Sequence, residues 1–222
     1  MKKHPEIDWI FFDMGGVLLD DARAIRMSHE FLLAAMRRED PSLTLDHITE
    51  VFPEASGRLG DVNRHIVSLL IPEEDKREAI LKEVQMQNEA IDYFTLSSVP
   101  PETREVLEVL SREYKLGIIA NQSIKARQKL TEAGIFSYFD FVGISNELNL
   151  SKPDPRIFKA AFEATGAAPE KSVMIDDNIE RGLAPAKKLG MKVVWYDLGT
   201  RKDSPDWIDF KISRLDDLSR IF

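Results

Sequence analysis

The sequence predicts an α/β protein: a parallel sheet covered by helices on both faces, with an all-helical module inserted after the first strand. Three observations carry this. Apolar runs alternate with helical patterns from about residue 101 onward, as repeated βα units require. The stretch from Ala22 to Ala90 has helical spacing and no convincing strand. At 222 residues the chain is long enough for one such domain with an insertion and for a sizeable core.

Residues 7 to 12, Ile-Asp-Trp-Ile-Phe-Phe, are rich in β-branched and aromatic side chains and stop at Asp13-Met14-Gly15-Gly16. This reads as a short, buried, central strand ending in a glycine-containing loop. Four helical segments follow, His29 to Arg38, Leu43 to Phe52, Asp61 to Leu70 and Glu73 to Ala90, separated by Pro41, Pro53, Gly57, Gly60 and Pro72. Met27, Met36 and Met86 and the aromatics Phe31, Tyr93 and Phe94 are expected to pack this module. After the break at Ser97-Ser98-Val99-Pro100-Pro101 the helices are predicted at 101–112, 124–133, 155–165 and 179–189. The strands between and after them are predicted at 115–120, 139–144, 172–175, 192–196 and 210–212, with a short tail helix. Asp154 is placed to cap the helix opening at Pro155, and Gly134, Gly166 and Gly190 sit where helices should end in a left-handed turn. The expected domains are a sheet domain of residues 1–20 and 95–222 and a helical domain of residues 21–94.

Composition narrows the function. Apolar residues at 43% and charged residues at 31% exclude extended disorder. A net charge of −8 with no basic run argues against nucleic acid and anionic lipid as partners. With no cysteine, and with His4, His29, His47 and His65 lacking ligand-like spacing, a zinc enzyme is not expected. Asp8 and Asp13 interrupt the apolar N-terminal stretch, so no signal peptide is read there, and no run is long enough to span a membrane. A cytoplasmic protein is expected.

Ligands bind beyond the carboxyl ends of strands in open parallel sheets. The residues there are Asp13-Met14-Gly15-Gly16, Ala120-Asn121-Gln122-Ser123 and Asp176-Asp177-Asn178, with Ser151-Lys152-Pro153-Asp154 in a loop nearby. Carboxylates on two strands suit a hard cation such as Mg²⁺, a lysine suits phosphoryl charge, and amides of the Met14–Gly16 loop suit phosphate oxygens. Taken singly, each residue is as readily a turn former or a helix cap. Their conjunction at one sheet edge points to phosphate chemistry.

With these residues in view, the chain resembles the haloacid dehalogenase superfamily of hydrolases. The matching segments, in the family's order, are IFFDMGGVLLD, LGIIANQS, SKPDPRIF and VMIDDNIERGLAPAKKLGM. The resemblance implies a Rossmann-like core with a helical cap, and an Mg²⁺-dependent phosphatase acting on a small phosphorylated metabolite, a sugar phosphate among the candidates. It assigns Asp13 as the nucleophile that forms an aspartyl-phosphate, and Lys152 as the group that binds phosphate and orients Asp13. Met14, Gly15 and Asn121 would contact the phosphoryl group. Asp13, Asp177 and the Gly15 carbonyl would hold the metal, and Asp176 would support the site. Substrate choice would lie in the cap, where Arg58, within Ser56-Gly57-Arg58-Leu59-Gly60-Asp61, suits a carboxylate or second phosphate.

Two positions depart from the family pattern. Gly15 stands where these phosphatases usually carry a second aspartate as general acid and base, and Ala120 stands where a Ser or Thr hydroxyl usually meets the phosphate. Loss of the acid is worth on the order of 10² to 10⁴ in rate if nothing replaces it. Asp20, Asp21 or a cap residue is left to supply the proton. Two other readings stay open: a weakly active or non-catalytic member that binds a phosphorylated ligand or a partner, and a dehalogenase attacking carbon, against which the acidic pair argues.

Overall fold

A computed structural model describes residues 3–56, 58, 61–89, 93–199 and 204–222. The chain divides into two compact units, one of Met1–Asp20 with Val99–Phe222 and one of Asp21–Ser98. The second boundary falls later than the sequence suggested because a 3₁₀ turn, Tyr93–Leu96, contacts the helical segment Ala22–Met36.

The first unit holds six parallel strands: β1 Trp9–Phe12, β2 Lys115–Ala120, β3 Phe141–Ile144, β4 Ser172–Asp176, β5 Lys192–Tyr196 and β6 Phe210–Ile212. Their spatial order is β3-β2-β1-β4-β5-β6. The chain steps outward from β1 to β3, then crosses back to lay β4 on the other side of β1, so the order reverses between β1 and β4. That reversal is the switch point at which such sheets leave a crevice. All four β1 residues are buried, as are all five of β4, which explains their unbroken apolar runs. Trp9 and Phe11 face one layer of helices, stacking at 5.3 Å within a cluster that includes Ile157, Phe158, Leu183 and Trp195. Full burial of side chains of this size contributes roughly 1.5–3 kcal/mol each.

Around the sheet lie α5 Pro101–Leu110, α6 Ala126–Glu132, α7 Ser145–Leu148, α8 Pro155–Thr165, α9 Ala184–Lys188 and α10 Leu218–Ile221. Asp154 caps α8, accepting from the Arg156 N–H, and Gly166 ends it in the left-handed region at φ +69. The segment 179–189, expected as one helix, departs from that form. Ile179–Leu183 is a wide π turn, with the Leu183 N–H reaching back to Asn178 at 3.2 Å, and only Ala184–Lys188 is α-helical. Pro185 supplies part of the cause, since it has no N–H to donate to the preceding turn. α7, between β3 and the Lys152 loop, was not expected.

The second unit packs α1 Ala22–Met36, α2 Leu45–Ser56, α3 Val62–Leu70 and α4 Glu74–Glu89 around Leu32, Met36, Ile48, Ile66, Val67, Ile80 and Val84. α1 begins at Ala22 rather than at His29, because Ala22-Arg23-Ala24 are already good helix formers. α2 runs through Pro53, where a stop was expected, and its last turn is held by burial of Ala55 and Ser56. Met36 is buried, but Met86 is 65% exposed and does not pack the core as expected. Ala90 lies outside the described residues. No helix among the described residues is long and apolar enough to cross a membrane.

Candidate active site

Parallel register brings the site together. Phe12 is level with Ile118 of β2 and Ile175 of β4, and the Asp13 N–H continues the ladder by donating to the Ile175 carbonyl at 2.9 Å. Asp13, just past β1, and the acidic pair at the end of β4 therefore emerge side by side at the switch point. Carboxylate oxygens of Asp13, Asp176 and Asp177 all lie within 4.8 Å of one another.

Lys152 is placed among them although it comes from a loop. Its ammonium lies 2.9 Å from Asp13 Oδ1 and donates to Asp176 Oδ2 at 2.6 Å. The lysine and Asp176 side chains are 2% and 1% exposed, whereas that of Asp13 is 17% exposed. Of these three groups, Asp13 is the one that an incoming molecule can reach. The other Asp176 oxygen accepts from the Asn178 N–H at 2.8 Å, so both of its oxygens have partners.

Electrostatics follows from this arrangement. Burial alone would lower the Lys152 ammonium, but Asp13 and Asp176 outweigh it and hold the pKa above the usual lysine value. Burial pushes the Asp176 carboxyl up to about 6, with Lys152 pulling it down and Asp13 adding to the rise. Two carboxylates thus share one ammonium, and Asp177 adds a third negative group. An all-oxygen donor set with surplus negative charge fits a hard divalent cation.

The loop after β1 is shaped to meet this cluster. The Met14 carbonyl accepts from the N–H groups of Leu18 and Leu19, and the Gly16 N–H donates to the Leu19 carbonyl, folding Met14–Gly16 into a tight turn beside Asp13. Gly16 has φ +70, and a Cβ there would lie 2.6 Å from Asp177 Oδ2, so glycine is needed both for the backbone and for the approach. Trp195 of β5 donates its indole N–H to the Asp177 carbonyl at 3.2 Å.

Asn121 has partners that the sequence did not indicate. Its Oδ1 accepts from the Lys152 N–H and its Nδ2 donates to the Lys152 carbonyl, both at 2.8 Å. Its carboxamide thus meets both main-chain groups of the lysine. Ala120 is fully buried. Arg58 is paired with Glu54 one turn back in α2, while Gly57, Leu59 and Gly60 of the expected substrate loop lie outside the described residues.

Sequence reading missed Gly182. A Cβ there would fall 1.9 Å from Asp176 Oδ2, so the π turn brings bare backbone against the buried carboxylate. The available signal was a glycine inside a helical pattern, which costs helix stability and usually has a packing reason.

The chain is similar to known proteins. The family model of the haloacid dehalogenase-like hydrolases matches residues 7–190. The chain is 26% identical over 220 residues to a glyceraldehyde 3-phosphate phosphatase of Methanothermobacter thermautotrophicus, covering 96% of each. It is 41% identical over 80 residues to a phosphoserine phosphatase of Thermus thermophilus, a match spanning 36% of this chain and 32% of that relative. The crystal structure of a HAD phosphatase from Thermococcus onnurineus superposes with a TM-score of 0.65 at 27% identity, covering 97% of each chain.

Proposed function

The chain belongs to the haloacid dehalogenase-like hydrolases, and on that premise we propose that it is an Mg²⁺-dependent phosphatase of small organic phosphate monoesters. The observation that carries this reading is the Lys152 ammonium bridging Asp13 and Asp176, with Asp177 in the same carboxylate group. Phosphorylated three-carbon sugars belong first in the substrate panel, because a relative that aligns over 96% of this chain is named for one.

In the proposed reaction an oxygen of Asp13 bonds to phosphorus as the bond from phosphorus to the leaving oxygen breaks, giving an aspartyl-phosphate and an alkoxide that takes its proton from water. Water then attacks phosphorus, freeing Asp13 and inorganic phosphate. Lys152 orients Asp13 and offsets the charge spreading over the phosphoryl oxygens, and the amides of Met14 and Gly15 donate to those oxygens. Held by Asp13, Asp177 and the Gly15 carbonyl, Mg²⁺ would supply electrostatic stabilisation of the transferring group. Asp176 acts only through Lys152.

Gly15 favours a second reading, a member that binds phosphorylated ligands and turns over slowly, because no carboxylate stands two residues beyond Asp13 to protonate the leaving group. One assay separates the two. Phosphate release from a panel of sugar phosphates and other monoesters is measured with and without Mg²⁺, beside Asp13→Asn. The phosphatase reading expects Mg²⁺-dependent release that this substitution abolishes. Full activity in Asp13→Asn, or turnover indifferent to metal, would sink it.

A further inference from the structure

Lys152 has to reach Asp13 from a loop that belongs to no helix or strand, on a side chain with four rotatable carbons. Two carboxylates hold the ammonium end of that side chain. Aim also requires the other end to be fixed, and there the main chain has no regular ladder to join. Its N–H and C=O, on a residue only 3% exposed, still need partners. Asn121 supplies both, at 2.8 Å each. A side-chain amide meeting the two main-chain groups of one residue acts as the peptide of an adjacent strand would, extending the hydrogen-bonding edge of β2 one residue past its end.

Asn121 is itself braced. The neighbouring Gln122 donates its N–H to Ser145 Oγ at 3.0 Å, and the same hydroxyl donates back to the Gln122 carbonyl at 3.2 Å. Ser145 opens α7 directly after β3, so a central strand and its neighbour both fix the place where Lys152 is anchored.

We propose that Asn121 is a positioning residue, which holds the Lys152 main chain so that its ammonium meets Asp13, and that it is not a ligand of the phosphoryl group. The proposal rests on the phosphatase reading for its kinetic readout alone. A direct phosphate ligand and a positioning residue differ in what happens once Lys152 is gone. With the lysine replaced, a positioning residue has nothing left to aim, whereas a phosphate ligand still matters.

The test is a double-mutant cycle of Asn121→Ala and Lys152→Ala in the Mg²⁺ phosphatase assay, with hydrogen exchange at the Lys152 amide followed by NMR. Asn121→Ala alone should lower kcat by on the order of 10²-fold, the usual consequence of an ångström-scale misplacement. In the Lys152→Ala background the same change should cost less than about twofold, the non-additivity of residues acting as a unit. Equal losses in both backgrounds overturn the proposal. In the native protein the Lys152 amide should exchange slowly, and in Asn121→Ala it should exchange fast while the amides of β1, β2 and β4 keep their rates. An amide as fast as a free peptide's in the native protein, or unchanged in the variant, also overturns it. The native measurement stands if the variant does not fold. If the native enzyme releases no phosphate from any ester, the functional reading fails, and amide exchange alone decides the clamp.

Discussion

Replacing Gly182 by alanine sets two expectations against each other. By helix propensity the change should stabilise, since glycine inside a helix costs roughly 0.5–1 kcal/mol relative to alanine. The structure demands the opposite sign. The new Cβ would sit 1.9 Å from Asp176 Oδ2 and 2.1 Å from its Cγ, so either the π turn or the carboxylate must retreat by about 1 Å. Asp176 has little room to do so, being held by Lys152 at 2.6 Å and by the Asn178 N–H at 2.8 Å. If the turn yields, overpacking costs about 1–3 kcal/mol. If the carboxylate yields, the buried Lys152 charge loses a partner, which costs about 3–5 kcal/mol when complete. Urea unfolding of Gly182→Ala should therefore show a loss between these limits, and the phosphatase rate should fall with it as Lys152 drifts from Asp13. A variant within about 0.5 kcal/mol of the native protein, the range of an ordinary surface change, with an unaltered rate would refute the argument.

Two further outcomes concern stability. Asp61 caps α3, its Oδ1 accepting from the Arg64 N–H at 2.8 Å; Asp61→Ala should cost about 1 kcal/mol in chemical denaturation, and no measurable loss would count against the cap. Glu6 bonds Lys192 at 2.8 Å and His4 at 2.9 Å, first the lysine and then the histidine lowering its pKa from 4.5 to about 2. A depressed carboxyl stabilises fully above its unfolded value and loses that contribution as pH falls through the folded one. The Tm gap between the native protein and Glu6→Gln should thus be constant at neutral pH and close between about pH 4.5 and pH 2; a gap independent of pH would contradict it.

Asp13, Lys152, Asp176 and Asp177 were legible in the sequence for one physical reason. Apolar parallel strands end at a common edge, so polar residues that follow such runs must meet there, and Lys152 lies in a loop between two of them. Asn121 was found by the same rule, but its partner was not, because a carboxamide's choice between a ligand and a main chain leaves no trace in hydrophobic periodicity. Gly182 was hidden for a related reason. Residues 179–189 carry helical spacing, and that spacing does not reveal that the backbone at Gly182 lies against the carboxylate of Asp176, six positions earlier. Within the helical unit, the burial of Met36 and the exposure of Met86 could not be told apart from composition, since either side chain suits a core.

The strand order also bears on how the protein comes into being. β1 is made first, yet its partners are β2, where Trp9 is level with Lys115, and β4, where Trp9 is level with Ser172. Loop closure over such separations is slow compared with the local contacts of α1 to α4, which have their own core. On an emerging chain the helical unit can therefore fold while Trp9, Ile10, Phe11 and Phe12 still lack both neighbours. The carboxylate at residue 13 waits longest, for a lysine 139 positions later and an acidic pair beyond it. The candidate site is the part of the sheet that synthesis completes late, and the apolar strand leading to Asp13 stays without its neighbours until then.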